Sequence, residues 1–185
     1  MSTRIENLID KTLKEIWENE IQNDYKNRWL LKEDTLKNSM YYHLRTRLGD
    51  LFEENNIRIF TEFTDDKFRG SNLKPDMVIA QVDSKKESKY LGDDIIKCLA
   101  VIEIKFKKGF NPIKDIYADF DKLKHYKTEL KVDCKLYMAT IWEYEDDEIN
   151  WARKNAAWAK NTLTELNASY EREFGDMRFY VYEHK

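Results

Sequence analysis

The first third of the chain places hydrophobic residues at helical spacing. Seven of them recur every three or four positions: Ile5, Leu8, Ile9, Leu13, Ile16, Trp17 and Ile21. This pattern predicts an amphipathic helix. A second stripe, from Leu36 to Phe52, predicts another helix over residues 33–55. The connector between the two helices, residues 24–31, is expected to be anchored by Trp29 and Leu30.

Short apolar runs in the middle and at the end of the chain predict strands. They cover residues 57–63, 76–82, 98–106, 135–142 and 177–182. The run 98–106 is expected to be a central strand, because it is rich in the aliphatic and β-branched residues that buried strands favour.

Two further apolar stripes predict helices between these strands. The first covers residues 112–126 and starts at Pro112, a residue that suits the first turn of a helix. The second covers residues 149–173, where Trp151, Trp158, Leu163, Leu166 and Tyr170 share one side and Gly175 ends the helix.

The predicted elements follow one another as a single α/β domain over residues 1–185. From residue 33 to about residue 142 their order is α-β-β-β-α-β, which predicts a mixed central sheet flanked by helices. The N-terminal helix and the C-terminal helix and strand are extensions of this core. A chain of 185 residues is long enough to bury one respectable hydrophobic core.

Composition narrows the class of protein. No apolar run approaches the ~20 residues that span a bilayer, and the N-terminus lacks a secretory signal, so we expect a cytoplasmic protein without membrane contact. The net charge of −3 argues against a surface coated with basic residues. Residues 97–135 nevertheless hold ten Lys against six Asp and Glu, which suits one face meeting a phosphate backbone or an ordinary solvated helix.

Two short segments carry the candidate chemistry. Pro75-Asp76 opens one predicted strand, and Glu103-Ile104-Lys105 lies inside the central one. Side chains alternate along a strand, so Glu103 and Lys105 share one face of an otherwise apolar run. If the two strands pair, Asp76 lies beside Glu103, and two close carboxylates are typical ligands of a divalent cation.

These two segments resemble the signature of the PD-(D/E)xK, or restriction-endonuclease-like, nuclease superfamily. The resemblance implies a restriction-endonuclease-like core and Mg²⁺-dependent cleavage of phosphodiester bonds, with Mn²⁺ able to substitute. Asp76, Glu103 and the backbone carbonyl of Ile104 would then be the metal ligands. Lys105 would position or activate the attacking water.

The resemblance also implies supporting residues. Members of the superfamily place an acidic residue on the helix before the first strand, and Glu33 is preferred here over its rivals Asp34, Glu53, Glu54 and Glu62. Nucleic-acid contacts are expected from four lysines around and after the central strand, although a solvated lysine face has the same pattern: Lys107, Lys108, Lys122 and Lys124.

The expected partner is DNA, with RNA not excluded, and the protein is expected to act as a homodimer or as a subunit of a larger defence or repair complex. Two other classes stay open. One is a catalytically inactive nuclease fold that binds nucleic acid or protein. The other is an α/β interaction protein in which Asp76 and Glu103 lie too far apart to share an ion.

Overall fold

The computed structural model describes residues 2–185 except 65–72, 87, 90, 110–112, 146–150, 153–155 and 172–174. Within these described residues, four α-helices and six strands follow one another. The three N-terminal helices come first, and the fourth helix separates the third strand from the fourth. The two predicted helices before the first strand correspond to three α-helices, and from the first to the fourth strand the order of helix and strands agrees with the prediction.

The N-terminal helical segment is continuous, but one π-helical turn interrupts its α-helical winding. Helix α1, Ser2–Ile16, runs into a π-helical turn, Trp17–Ile21, and then into α2, Gln22–Lys26. Helix α3, Glu33–Glu54, matches the predicted second helix. Its stripe of apolar side chains is buried against the sheet and α1, as their spacing predicted.

One mixed sheet forms the centre of the molecule. Its strands are β1 Ile57–Thr61, β2 Met77–Val82, β3 Ile95–Lys108, β4 Lys135–Glu145, β5 Leu163–Tyr170 and β6 Met177–Glu183, and they lie in the order β1-β2-β3-β4-β5-β6. The pairs β1–β2, β2–β3 and β5–β6 are antiparallel, and the pairs β3–β4 and β4–β5 are parallel. The predicted α/β class with a mixed sheet is confirmed.

The sheet separates two hydrophobic cores. One lies under α1 and α3, where it includes Ile102 and Ile104 of β3. The other lies under α4, Ile113–Thr128, where it includes Val101, Leu123 and Tyr126. Alternation along β3 therefore turns Ile102 and Ile104 toward the N-terminal helices and Glu103 toward α4.

The predicted helix over residues 149–173 is wrong. Turns occupy residues 157–162, and β5 occupies Leu163–Tyr170. Nearly all residues of β5 are buried, and β4 and β6 flank the strand within the sheet. Of the residues assigned to the helical stripe, Leu163, Leu166 and Tyr170 are strand residues, whereas Trp151 and Trp158 precede the strand. The predicted helix start at Pro112 lies outside the described residues.

The connector between α2 and α3 also differs from its prediction. Leu30 is buried, as expected of an anchor, but the side chain of Trp29 is 67% exposed. Leu31, on the other side of Leu30, is 63% exposed.

The described part of the chain contains no helix with the length and hydrophobicity that crossing a membrane requires.

Candidate active site

The pairing of β2 with β3 brings the two sequence segments together. Met77 is opposite Ile102 in this antiparallel pair, and one more step along the same register sets Asp76 opposite Glu103. The backbone N–H of Ile104 donates a hydrogen bond of 2.8 Å to Asp76 Oδ2. Asp76 is therefore fixed against the Glu103-Ile104-Lys105 segment by a buried contact.

Glu103 is fully buried on the α4 face of β3. Tyr126 of α4 donates a 2.8 Å hydrogen bond from its hydroxyl to Oε1, and Lys122 Nζ lies 3.3 Å from Oε2. Burial raises the pKa of Glu103 well above its ordinary value, and the nearby charge of Asp76 raises it further. Lys122 and Tyr126 oppose this rise, because both stabilise the ionised form.

Lys105 lies on the same strand face, two residues beyond Glu103. Its Nζ lies 2.7 Å from Oδ2 of Asp119 on α4 and 3.2 Å from Oε2 of Glu33, the first residue of α3. Burial opposes its charge, but the two carboxylates outweigh burial and raise the pKa of Lys105. Lys105 is therefore a cation at neutral pH, held from two helices.

Two more lysines complete the network. Lys37 of α3 pairs with Glu62, just after β1, and its Nζ lies 3.6 Å from Oδ1 of Asp76. Lys122 of α4 lies 2.8 Å from Oδ1 of Asp119, in addition to its contact with Glu103. For both lysines burial lowers the pKa, and the neighbouring carboxylates outweigh it and raise the pKa overall.

We call this network the ionic cluster. Its members come from α3, the end of β1, the start of β2, β3 and α4: Glu33, Lys37, Glu62, Asp76, Glu103, Lys105, Asp119, Lys122 and Tyr126. Five carboxylates face three ammonium groups, so two negative charges are left unbalanced if all of them ionise. Burial is the main cause of the raised pKa of Glu103, and the neighbouring carboxylates of Asp76 and Asp119 raise it further.

Most of the predicted site residues lie in this cluster. Asp76, Glu103, Lys105 and Glu33 are brought together, and Lys122 joins them from α4. Glu62, a rival of Glu33, belongs to the cluster as well.

The remaining three predicted nucleic-acid contacts lie outside the ionic cluster. Lys107 pairs with Asp115 at 2.6 Å, and Lys108 lies 3.7 Å from Glu143. Lys124 is exposed on α4 and lines a surface cavity with Tyr117, Phe120 and Trp151.

Three members of the cluster were not predicted: Lys37, Asp119 and Tyr126. Asp119 lies three residues after Ile116 and four before Leu123, on the buried stripe of α4, and it is 3% exposed. A carboxylate inside an apolar helical stripe is a signal that the sequence offers. Lys37 directly follows Leu36 on α3, and both residues are buried.

Asp76 and Glu103 are two neighbouring carboxylates of the ionic cluster. Over the described part of the chain, no group of three or more His, Cys, Asp or Glu side chains is spaced to hold a metal ion. A pair suits Mg²⁺, which binds through one or two carboxylates and keeps several waters. Because its pKa is raised, Glu103 has to lose its proton before it can bind a cation.

Comparisons of this chain with models of protein families, with curated proteins and with solved structures found no match. The contacts, charges and burial of the ionic cluster are therefore the basis for assigning a function.

Proposed function

We propose that this protein is a metal-dependent nuclease that hydrolyses phosphodiester bonds in DNA. The single observation that carries the proposal is the hydrogen bond from the Ile104 N–H to Asp76. It joins the Pro-Asp segment to the Glu-x-Lys segment, as the resemblance to the PD-(D/E)xK superfamily requires. The cluster around this contact combines carboxylates for a metal with fixed cations for a phosphate.

The topology around the ionic cluster supports the same proposal. The elements α3, β1, β2, β3, α4 and β4 follow one another in the chain, with β1 to β3 antiparallel and β4 parallel to β3. This agrees with the α-β-β-β-α-β core that the resemblance implies. On this proposal, β5, β6 and the first two helices are additions to a restriction-endonuclease-like core.

Asp76 and Glu103, with the Ile104 carbonyl, are the proposed ligands of Mg²⁺ or Mn²⁺. When bound, such a metal offsets the charge of the scissile phosphate and lowers the pKa of a coordinated water. The chain's own residues prepare this site. Tyr126 and the Ile104 N–H orient the two carboxylates, and Lys37 offsets part of the charge on Asp76.

Lys105 and Lys122 are the proposed catalytic cations. Asp119 and Glu33 hold the ammonium group of Lys105 on the same strand face as Glu103, where it can stabilise charge developing on the phosphate. Lys122 lies against Glu103 from α4 and is the second cation placed to meet the substrate's phosphate. Preorganised charges of this kind act without reorganisation during the reaction.

A second candidate function is favoured by one observation. Each carboxylate of the ionic cluster already has an ammonium or hydrogen-bond partner, so the cluster is also self-consistent as a structural ion network. A nuclease fold of this kind could bind nucleic acid or protein without cleaving anything. Cleavage and metal binding therefore have to be measured separately.

The test compares three variants of the cluster, Asp76→Asn, Glu103→Gln and Lys105→Met, with the matched control Lys97→Met. Lys97 lies on the same strand as Lys105 but pairs with Glu6 outside the cluster. Circular, linear, single-stranded and branched DNA are incubated with Mg²⁺ or Mn²⁺, and with EDTA as a blank. Each cluster variant is expected to lose about 10²–10³-fold in rate, because each removes a charge that the reaction uses.

Equal rates in the wild type and all three cluster variants would overturn the nuclease assignment. A wild-type protein that binds Mn²⁺ and DNA but cuts none of the four substrates would favour the inactive binding module. Circular dichroism of each variant establishes that it is folded.

A further inference from the structure

The connector between α2 and α3 exposes an unusual set of side chains. Residues 26–32, which we call the basic loop, contain Lys26, Arg28 and Lys32, all exposed, and no acidic residue. Among them Trp29 is 67% exposed and Leu31 is 63% exposed. A large indole left in water beside three cations is a feature that the packing of the protein does not explain.

The backbone of the basic loop is held by hydrogen bonds at both ends. At its start the N–H of Arg28 bonds to the Tyr25 carbonyl at 2.9 Å, and that of Trp29 bonds to the Asp24 carbonyl at 3.0 Å. At its end the N–H groups of Leu31 and Lys32 both bond to the Thr35 hydroxyl, at 2.9 and 3.1 Å.

Two further features fix the conformation between these ends. Leu30 is buried between the exposed Trp29 and Leu31, and it anchors the middle of the loop. Arg28 has a positive φ of 62°, which a residue with a side chain adopts only when its surroundings impose it. The exposed side chains are therefore presented on an ordered backbone, so little conformational entropy is lost when they bind.

The basic loop lies next to the ionic cluster. Lys32 directly precedes Glu33, whose carboxylate lies 3.2 Å from Lys105. Trp29 is four residues from Glu33, so the two backbones are at most about 14 Å apart. A strand that enters the ionic cluster can therefore also reach the basic loop.

The chemistry of the basic loop favours one class of ligand. Cations attract phosphates, and an exposed indole stacks on the flat face of a base. In a duplex the bases are already stacked and paired, so only an unpaired base offers a free face to Trp29. Lys32 Nζ lies 3.1 Å from Oδ2 of Asp34, which offsets its charge. Lys26 and Arg28 therefore supply most of the attraction to phosphates.

We propose that the basic loop docks an unpaired, single-stranded segment of the substrate, with Trp29 stacked on a base near the cleaved bond. This inference rests on the proposed function and names its substrate class: DNA with a single-stranded region beside the cleavage site. Lys26 and Arg28 contact the phosphates that flank the stacked base.

The first experiment replaces the indole. Binding of a fluorescent single-stranded DNA 20-mer and of the matching duplex is followed by anisotropy in EDTA, for the wild type and Trp29→Ala. The variant is expected to bind the single strand about tenfold more weakly, the usual cost of losing one stack between a base and an aromatic ring, with a smaller change for the duplex. The control is Ile96→Ala, because Ile96 is 56% exposed and lies at the far end of β3.

The second experiment replaces the charges. Lys26→Gln and Arg28→Gln are each expected to reduce the slope of log affinity against log salt concentration by about 0.7 for the single strand. Lys11→Gln is the control, because Lys11 is an exposed lysine of α1 that pairs with Glu15. A single-stranded RNA 20-mer of the same sequence is measured in parallel to separate DNA from RNA as the preferred strand.

The outcomes separate this inference from the nuclease proposal. Unchanged single-strand affinity in Trp29→Ala, or equal losses in Trp29→Ala and Ile96→Ala, would overturn the docking role even if the protein cleaves DNA. A protein that binds a lipid vesicle or a protein through Trp29, and no single strand, would overturn it as well. Trp29-dependent binding without metal-dependent cleavage would support the docking role and remove the nuclease.

Discussion

Glu103 is a buried carboxyl that costs the folded protein free energy, and it is also a proposed metal ligand. Its carboxyl is completely buried in a strand of apolar residues, with Asp76 opposite. A buried charge of this kind costs free energy, and the hydroxyl of Tyr126 and the ammonium of Lys122 offset only part of it. The site is therefore less stable than an apolar core would be, and a bound cation would relieve that cost.

The pKa of Glu103 gives a prediction for stability against pH. Because its pKa is raised in the folded state, the folded protein binds a proton more tightly than the unfolded chain. The stability contributed by the protonated carboxyl is complete below the unfolded pKa, near 4.5, and is lost as the pH rises through the folded pKa. In EDTA, Glu103→Gln is expected to gain stability relative to the wild type as the pH rises above 4.5.

Urea unfolding of both proteins between pH 4.5 and 8 measures this difference. Glu183→Gln is the control, because the hydrogen bond from Lys14 lowers the pKa of Glu183, so its contribution to stability is lost only as the pH falls below about 4.5. Its difference from wild type is therefore expected to stay nearly constant between pH 4.5 and 8. A difference between Glu103→Gln and wild type that stays constant over the pH range would contradict the prediction.

At the scale of elements, β5 shows why hydrophobic spacing failed near the C-terminus. The polar residues of this strand, including Glu165 and Asn167, are buried. Glu165 accepts hydrogen bonds from the backbone N–H groups of Trp151 and Ala152, at 2.9 and 3.0 Å, and its Oε1 lies 2.8 Å from His184 Nε2. Such partners are distant in sequence, so a local pattern reads buried polar residues as the exposed side of a helix.

Glu165 therefore fastens two separate segments to the sheet. Replacing it with alanine would leave the N–H groups of Trp151 and Ala152 buried without their acceptor. We expect Glu165→Ala to lower the free energy of unfolding by about 2–5 kcal/mol, seen as a lower urea midpoint. The control Glu171→Ala removes an exposed pair with Arg178 and is expected to cost less than about 1 kcal/mol. A similar cost for both variants would show that Glu165 is not such an anchor.

Helix α3 was predicted better than β5, although its buried polar residue was not. The apolar stripe of α3 predicted its bounds to within a residue or two, because that helix buries only one face. The sequence did not show that Lys37 would be buried with the stripe, since its partners Glu62 and Asp76 come from other elements. Asp119 stands in the apolar stripe of α4, where the sequence does signal it, but its partner Lys105 comes from β3, so its place in the ionic cluster was not predicted.

For the whole molecule, the predictable part is the central meander and its two motifs. Alternation along β3 predicted that Glu103 and Lys105 share a face, and pairing with β2 predicted that Asp76 lies beside Glu103. The order of strands in the sheet depends on long-range pairing, and the lysines that pair with the carboxylates come from distant elements. A single sequence does not specify either of these. The fold thus brings residues from two short sequence segments together in one charged cluster.

The measurement that tests the account most directly is a crystal structure of the wild-type protein soaked in Mn²⁺. The account predicts an anomalous peak within about 2.0–2.6 Å of carboxylate oxygens from both Asp76 and Glu103, with Lys105 nearby. The same soak of Glu103→Gln is expected to lose the peak. A wild-type crystal at saturating Mn²⁺ without a peak between these two carboxylates, or with the ion bound elsewhere, would contradict it.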